Sequence, residues 1–286
     1  MAAAFAWRPG FEWRVALRFL LEGRMQSVLI IVGVAAGVAV VTYISVLISG
    51  LQASTLEKTL GAQAHVSLSA RDDAVRPALA AAAGEARLST AQPRDQRLRT
   101  LDGWPALMAA LERRPGVTAV SPMIATAGLA QRGEASRSVA LMGVELERYD
   151  RIVRLREKVV AGEPRLGPGE ALLGRELAED LGVGVGDRLS IVTAGVVEPV
   201  RVTALVDLGV RDLNRRTVYL PLRAVQSLAG LPGGATTLDL RLADVWSARE
   251  VAAALSAQLP WKVESWQQAN AQLVSALNAQ SISTAI

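Results

Sequence analysis

The chain has 286 residues, a formal net charge of +4 and no cysteine. No disulfide framework and no thiolate metal site can form. The basic residues are mostly arginines scattered among acids, which argues against a dedicated nucleic-acid surface, and a single histidine excludes a multi-histidine metal site. Roughly 235 residues follow an apolar run near the start, enough for one large or two small domains.

Residues 1–24 open with an amphipathic stretch over 11–22. Phe11, Val15 and Leu17 to Leu21 form its apolar side, and Glu12, Arg14, Arg18 and Glu22 its charged side. With Trp7 and Trp13 suited to the headgroup layer, it reads as an interfacial helix, with Trp13, Arg14 and Arg18 at the membrane surface. The competing reading is a plain cytoplasmic extension of the helix that follows.

Met25 to Leu51 carries no charge. At about 1.5 Å per residue it reaches close to 40 Å, enough to cross a hydrocarbon core of about 30 Å with tilt. A cleaved signal has an apolar core of roughly 7–15 residues, so this reads as an uncleaved transmembrane helix. Arg8, Arg14, Arg18 and Arg24 precede it, whereas Lys58 and then Arg71 follow. The positive-inside rule therefore puts the N-terminus in the cytoplasm and residues from about 52 outside. Gly33 and Gly37 make a G-x-x-x-G face on which another helix could pack.

Leu51 to Leu60 continues the helix and Gly61 caps it. His65 to Ser69 alternates as a strand, and 71–100, rich in Ala, Arg, Asp and Pro, reads as a loop or insertion. Asp102 caps a helix to Arg114 with Trp104, Leu107, Met108 and Leu111 on one face. Val117 to Ser121 is a strand; two more, about 123–131 and 135–142, flank the turn Arg132 to Glu134. From 143 short apolar runs mark strands at 170–174, 189–193, 200–206 and 217–220, with a short helix at about 175–181. Pro221 opens a helix. Thr237 to Leu242 is a strand, Ser247 to Gln258 a helix and Trp261 to Glu264 a strand. The parts 102–142 and 236–264 read as two α/β halves of one unit, and 143–221 as a small β-rich one. From Ser265 a polar helix grows more apolar toward Ile286, heading into a second membrane helix.

Catalytic chemistry is not signalled. His65 reads as structural. No G-x-x-x-x-G-K-[ST] phosphate loop occurs. Gly182, Gly184 and Gly186 before Asp187 follow a helix and read as a turn. Glu145/Glu147 and Glu179/Asp180 have no context that marks an acid/base pair. Two arginine clusters, one at Arg87, Arg94, Arg97 and Arg99 and one from Arg148 to Lys158, read as solvated faces; the sharper alternative is contact with anionic lipid or a partner.

Several segments together carry a resemblance. Ile48 to Leu51 running to Leu60–Val66 looks like a family's exit from its first membrane helix into its first external strand. Leu141 to Glu145 resembles a recurrent strand ending in Gly-Val-Asp/Glu. Gly174 to Ala178, Leu181 to Val183 and Val185 to Leu189 form the strongest match. Val218 to Leu222 with Ala224 to Gln226 resembles a later strand-to-helix step, and the tail from Trp266 the approach to a second membrane helix. The chain thus resembles the permease subunits of MacB-type ABC transporters, the FtsX-like permeases, with the LolC/LolE lipoprotein-releasing branch most similar; 71–100 is unmatched.

The resemblance implies an α+β membrane protein. Its parts would be the interfacial helix (1–24), transmembrane helix 1 (25–51), an external domain (52–264), and a helix entering transmembrane helix 2 (265–286). The external domain would comprise a porter-like α/β subdomain (about 62–142 and 222–264) and a sabre-like β-rich subdomain (about 143–221). It implies an inner-membrane location, four membrane helices in the whole permease, and a second permease copy or paralogue. A cognate ATPase would hold ATP and magnesium, leaving this chain without a cofactor or catalysis. ATP-driven closure would be relayed to the external domains, which move a substrate such as lipoprotein or lipid. The turn around Gly195, Val196, Val197, Glu198 and Pro199 is the candidate hairpin for a carrier or adaptor. With one complete membrane helix, the sequence reads as the N-terminal part of such a permease; the competing reading is a single-pass membrane-anchored scaffold. A membrane-anchored hydrolase is disfavoured by the lone histidine.

Overall fold

The computed structural model describes residue 18 and residues 24–60, 63–71, 98–271 and 275. The chain divides into two compact units, one running to Leu56 and the other from Glu57 to Ala285.

The first unit is built on helix α1, Arg24–Leu60, of 37 residues. Within it Val28–Leu47 has a mean hydropathy of 2.5 and none of it is buried. Apolar side chains surround the helix instead of forming a stripe, so its length and composition suit a membrane span. That supports the membrane-spanning reading of 25–51.

The second unit is a ten-stranded sheet with helices. Its elements in chain order are β1 (Val66–Ser69), α2 (Trp104–Glu112), β2 (Val117–Arg132), β3 (Ala135–Val144) and α3 (Leu146–Val153). A 3-10 turn (Leu155–Lys158), β4 (Val159–Gly162), β5 (Glu170–Gly174), α4 (Arg175–Leu181), β6 (Arg188–Thr193) and β7 (Val196–Val206) follow. Then come α5 (Arg211–Arg216), β8 (Thr217–Pro221), α6 (Leu222–Leu228), β9 (Thr237–Leu242), α7 (Ala248–Gln258), β10 (Lys262–Ser265) and α8 (Trp266–Ala269).

Strand pairing runs β10-β1-β9-β2-β3-β8-β5-β7-β4, with β6 bridging β2 and β7. Two shapes follow. β10, β1, β9 and the first half of β2 form an open antiparallel sheet. The far half of β2 joins β3, β8, β5, β7 and β6, and the β6–β2 pairing at Leu129–Gln131 closes that circuit into a small barrel. Along β6, Leu189, Ile191 and Thr193 are buried while Arg188, Ser190 and Val192 are not, the alternation that a closed barrel demands. Ala130, Val139, Leu141, Leu173, Ile191 and Val202 share its core, with α4 and α6 packed in through Leu177 and Val225.

A second core lies under α3. Tyr149, Ile152 and Val153 on that helix pack with Met123, Leu172, Val206 and Tyr219. Arg154 ends α3 in the left-handed region, φ 52°, and turns the chain into the 3-10 turn.

Most strands match the sequence reading; several details differ. Val117 to Ser121 and 123–131 are one strand, because Pro122, which ends a central strand when its N–H is needed, sits where β3 has not yet begun to pair. Asp102 is not the cap of α2. Gly103 takes that position at φ 65° with no side-chain hydrogen bond, and Pro105 supplies the preset first turn. The sequence reading had no element at 146–153, 155–162 or 211–216, where α3, the 3-10 turn with β4, and α5 lie. At 142/143, where the sequence reading divides two subdomains, the sheet runs on: β3 pairs with β8 in register from Ala140↔Thr217 to Val144↔Pro221, and at 221/222 strand gives way to helix α6. Gly143 sits at that seam: a Cβ there would lie 2.6 Å from Val225 Cβ, so α6 presses directly on the backbone.

Candidate functional site

The sequence candidates fall on separate elements. On α1, Gly33 and Gly37 are exposed, and a Cβ built on either would meet nothing within 4 Å. Arg18 is helical and exposed; Trp13 and Arg14 lie outside the described residues. So do the arginines at 87, 94 and 97, and the tail beyond 275.

The hairpin candidate is present but smaller than the sequence suggests. Its turn is Ala194–Gly195, both with positive φ (48° and 84°), as a two-residue hairpin turn with strand-matching twist requires. Val196 to Pro199 are not loop but the start of β7, opposite Thr193 to Ser190. Val196 and Val197 are 49 % and 58 % exposed. Register carries the apolar surface sideways: Val197 pairs with Val192, and Val192 with Leu129, which is 40 % exposed. Three adjacent strands thus present Leu129, Val192 and Val197 in one row on the outside of the barrel. Leu129 and Val192 are residues that the sequence reading did not connect with the hairpin; the closure of β6 on β2 is the long-range pairing that brings them there.

The carboxylate pairs resolve into ion pairs with arginine. Glu145 and Glu112 both bind Arg148, and Glu147 binds Arg156. Asp180 is held by Arg215 at 3.1 Å and Arg137 at 3.6 Å, and Glu179 lies 3.9 Å from Arg175. All of these groups keep some solvent exposure, and each carboxylate has an arginine beside it, with Arg148 shared between Glu145 and Glu112. Clefts of about 520 and 550 Å³ flank α3 and share Glu147 and Arg148 in their walls. Among the described residues no group of three or more His, Asp or Glu side chains is placed to hold a metal. Gly182 to Asp187 is a turn: Gly182 caps α4 at φ 64°, and Asp187 accepts the Gly184 N–H at 2.9 Å and pairs with Arg132 at 3.2 Å.

His65 is buried and its Nδ1 accepts the Leu242 N–H at 3.1 Å. Burial and the Arg241 guanidinium hold its imidazole below the ordinary histidine value. A polar cluster beneath α3 has no counterpart in the sequence reading. Asp239 on β9 faces Ser67 across β1 and Ser121 across β2, and accepts the Ser67 hydroxyl at 2.7 Å. Burial pushes its carboxyl up to about 6 against that hydrogen bond. Burial also raises Tyr149, and pushes Tyr219, whose ring centre lies 5.8 Å from that of Tyr149, up to about 12. The cluster is closed over by α3, and sequence offers only Asp239 in an otherwise alternating strand as its signal.

Among the described residues the geometry offers a membrane-length helix, a sheet with a closed barrel, and an apolar row at a hairpin. Residues 27–258 match the MacB-like periplasmic core domain family, and the chain belongs to it. Among named relatives, the lipoprotein-releasing system transmembrane protein LolC of Xylella fastidiosa (strain 9a5c) is 26 % identical over 287 residues, covering 93 % of this chain and 63 % of the relative. LolE of Haemophilus influenzae is 24 % identical over 233 residues, covering 77 % of this chain and 50 % of the relative. The periplasmic region of MacB from Actinobacillus actinomycetemcomitans aligns at a TM-score of 0.48 and 13 % identity, over 80 % of this chain and 95 % of that one. The extracellular domain of the ABC-type transporter YknZ gives 0.43 at 16 % identity, over 55 % and 86 %. The chain therefore spans less than two thirds of the length of the curated relatives it matches.

Proposed function

We propose that this chain is the N-terminal part of a permease subunit of an ATP-driven MacB/Lol-type ABC transporter, acting on lipoprotein or lipid in the inner membrane. The observation that carries the reading is the alignment to LolC across 93 % of the chain, running through both the apolar helix and the external unit. In this reading α1 is the first membrane helix, with the N-terminus cytoplasmic and the sheet periplasmic. A cognate ATPase binds ATP and magnesium, and a second permease copy or paralogue completes the assembly. Exposed Gly33 and Gly37 suit close helix approach within such an assembly. The hairpin at 194–199, with Leu129 and Val192 beside it, is the surface offered to a periplasmic carrier.

Work enters this reading as movement. ATP-driven closure on the cytoplasmic side shifts the membrane helices, and the external unit converts that shift into release of substrate. The test is co-purification of the full reading frame, tagged and extracted in mild detergent. A P-loop ATPase recovered in near-equal amount, with ATP hydrolysis in the complex, supports the reading. A reading frame that stops at Ile286 and brings down no ATPase overturns it in favour of a single-pass membrane-anchored scaffold.

A further inference from the structure

Two segments that leave the sheet of the second unit meet at one place. Residues 63–65 bring the chain into β1, and Ser265 to Asn270 take it out of β10 through α8. β1 and β10 are antiparallel neighbours with Val66 opposite Ser265, so the incoming and outgoing segments lie side by side. The C-terminal end of β9 and the turn 243–247 complete the junction.

His65, the last residue of the incoming segment, bonds both to the end of β9 and to the outgoing segment. Its N–H donates to the Leu240 carbonyl at 2.9 Å, and its own carbonyl accepts the Trp266 N–H at 2.9 Å. Its Nδ1 accepts the Leu242 N–H at 3.1 Å. Trp266, 2 % exposed, donates its indole N–H to the Val245 carbonyl at 2.9 Å and meets the Trp246 ring edge-on, centres 5.6 Å apart. Asn270 reaches Gln63 at 3.3 Å, and Ser265 and Gln268 close a capping box on α8.

An imidazole that accepts at Nδ1 is neutral and carries its proton on Nε2. A second proton turns Nδ1 into a donor facing the Leu242 N–H, two donors head to head in a buried place. The charged groups acting on the ring are Arg241 on β9, which opposes that proton, and Asp244 in the turn, which favours it. The residues of α8, Trp266 to Ala269, are uncharged. The ring cannot stay in place when protonated without losing its partner, and its own backbone carbonyl holds the outgoing segment.

We propose that His65 is a proton-operated pin. Neutral, it locks the incoming and outgoing segments to the end of β9 as one body; protonated, it frees Ser265 to Asn270 from the turn 243–247. Burial and Arg241 place the release below the ordinary histidine range, so the joint is closed at neutral pH. The device stands independently of what the protein transports.

The chain has no cysteine, so Arg249→Cys and Ala269→Cys, both at exposed positions, give a clean pair of spin labels on the full 286-residue chain in detergent. Electron paramagnetic resonance then reads their separation at about pH 8 and about pH 5. The expected result is one narrow distance at the higher pH and a second, displaced population at the lower. That second population is absent from His65→Gln, whose amide oxygen still accepts but does not titrate. It persists in Asp239→Asn, which removes the neighbouring carboxyl that titrates in the same range. A distribution already broad at the higher pH, one unchanged between the two, or a shift that survives in His65→Gln overturns the proposal. An unchanged separation in the parent chain overturns the proposal with no change at position 65, so it stays refutable even if His65→Gln fails to fold.

Discussion

Asp239 weakens the fold at neutral pH, and replacing it with asparagine removes that pH-dependent penalty. The carboxyl is buried between β1 and β2 with one hydroxyl donor, and its folded-state pKa is pushed up to about 6. In the unfolded chain it titrates near 3.9. Below about pH 4 it is neutral in both states, and the fold keeps its full stability. As pH rises through about 6 the folded chain must bury a charge that the unfolded chain hydrates, and a displacement of about two pKa units amounts to on the order of 3 kcal/mol. Asp239→Asn keeps an oxygen for Ser67 and carries no charge. Whatever fixed offset the amide introduces, the stability gap between variant and parent should widen by on the order of 3 kcal/mol from about pH 4 to about pH 7.5. For a unit of this size that is roughly 6–12 °C in melting temperature. Thermal melts of both chains in the same detergent, followed by circular dichroism across that range, measure it. His65 titrates in both chains and cancels in the difference. A gap that does not change with pH would refute the reasoning, because it would mean that the carboxyl is hydrated or paired in the folded state.

His65 gives the opposite slope. Its folded pKa lies below the usual 6.5, so its contribution is present above that value and is lost as pH falls through the lowered one; His65→Gln should flatten the acid side of a melting-temperature profile. Gly174→Ala should destabilise by about 1–3 kcal/mol or more, because the new Cβ would fall 2.0 Å from the Asn214 carbonyl oxygen, a backbone atom that cannot rotate away; a drop in melting temperature reads it. Ala194→Asn should stabilise the β6–β7 hairpin by a few tenths of a kcal/mol to about 1, since Asn-Gly accepts two successive positive φ values better than Ala-Gly does. Slower amide exchange at Thr193 and Val196 is the measurement. Leu177→Ala, at a fully buried position where α4 enters the barrel, should cost about 2–5 kcal/mol in the same melts.

Local signals were legible and distant pairings were not. Thr237 to Leu242 and Glu170 to Gly174 stand out by alternation or a short apolar run, and α4 by its Gly182 stop; all three occupy the positions expected. α3 hid because Leu146 to Val153 interleaves Arg and Glu with its apolar residues, so charge masked a strongly one-sided helix whose buried side is Tyr149, Ile152 and Val153. The cap of α2 was misplaced because Asp102 has the right chemistry, while Gly103 alone adopts the left-handed backbone that the turn needs. For the candidate site, the turn at Ala194–Gly195 could be read from sequence, but its neighbours Leu129 and Val192 could not. Leu129 and Val197 are brought into one row only by β6 closing on β2, and no local pattern announces such a contact.

β2 has a further consequence. Its 16 residues, at about 3.3 Å each, reach roughly 50 Å and serve as a wall of the open sheet at one end and of the barrel at the other. The two parts are therefore not beads on a string. No excision of the chain yields a barrel without stripping β9 of its neighbour, and none yields the open sheet without breaking the barrel's ring. A strand bends but does not stretch, so the open sheet and the barrel hang on one covalent strut and cannot part while β2 stays paired in both.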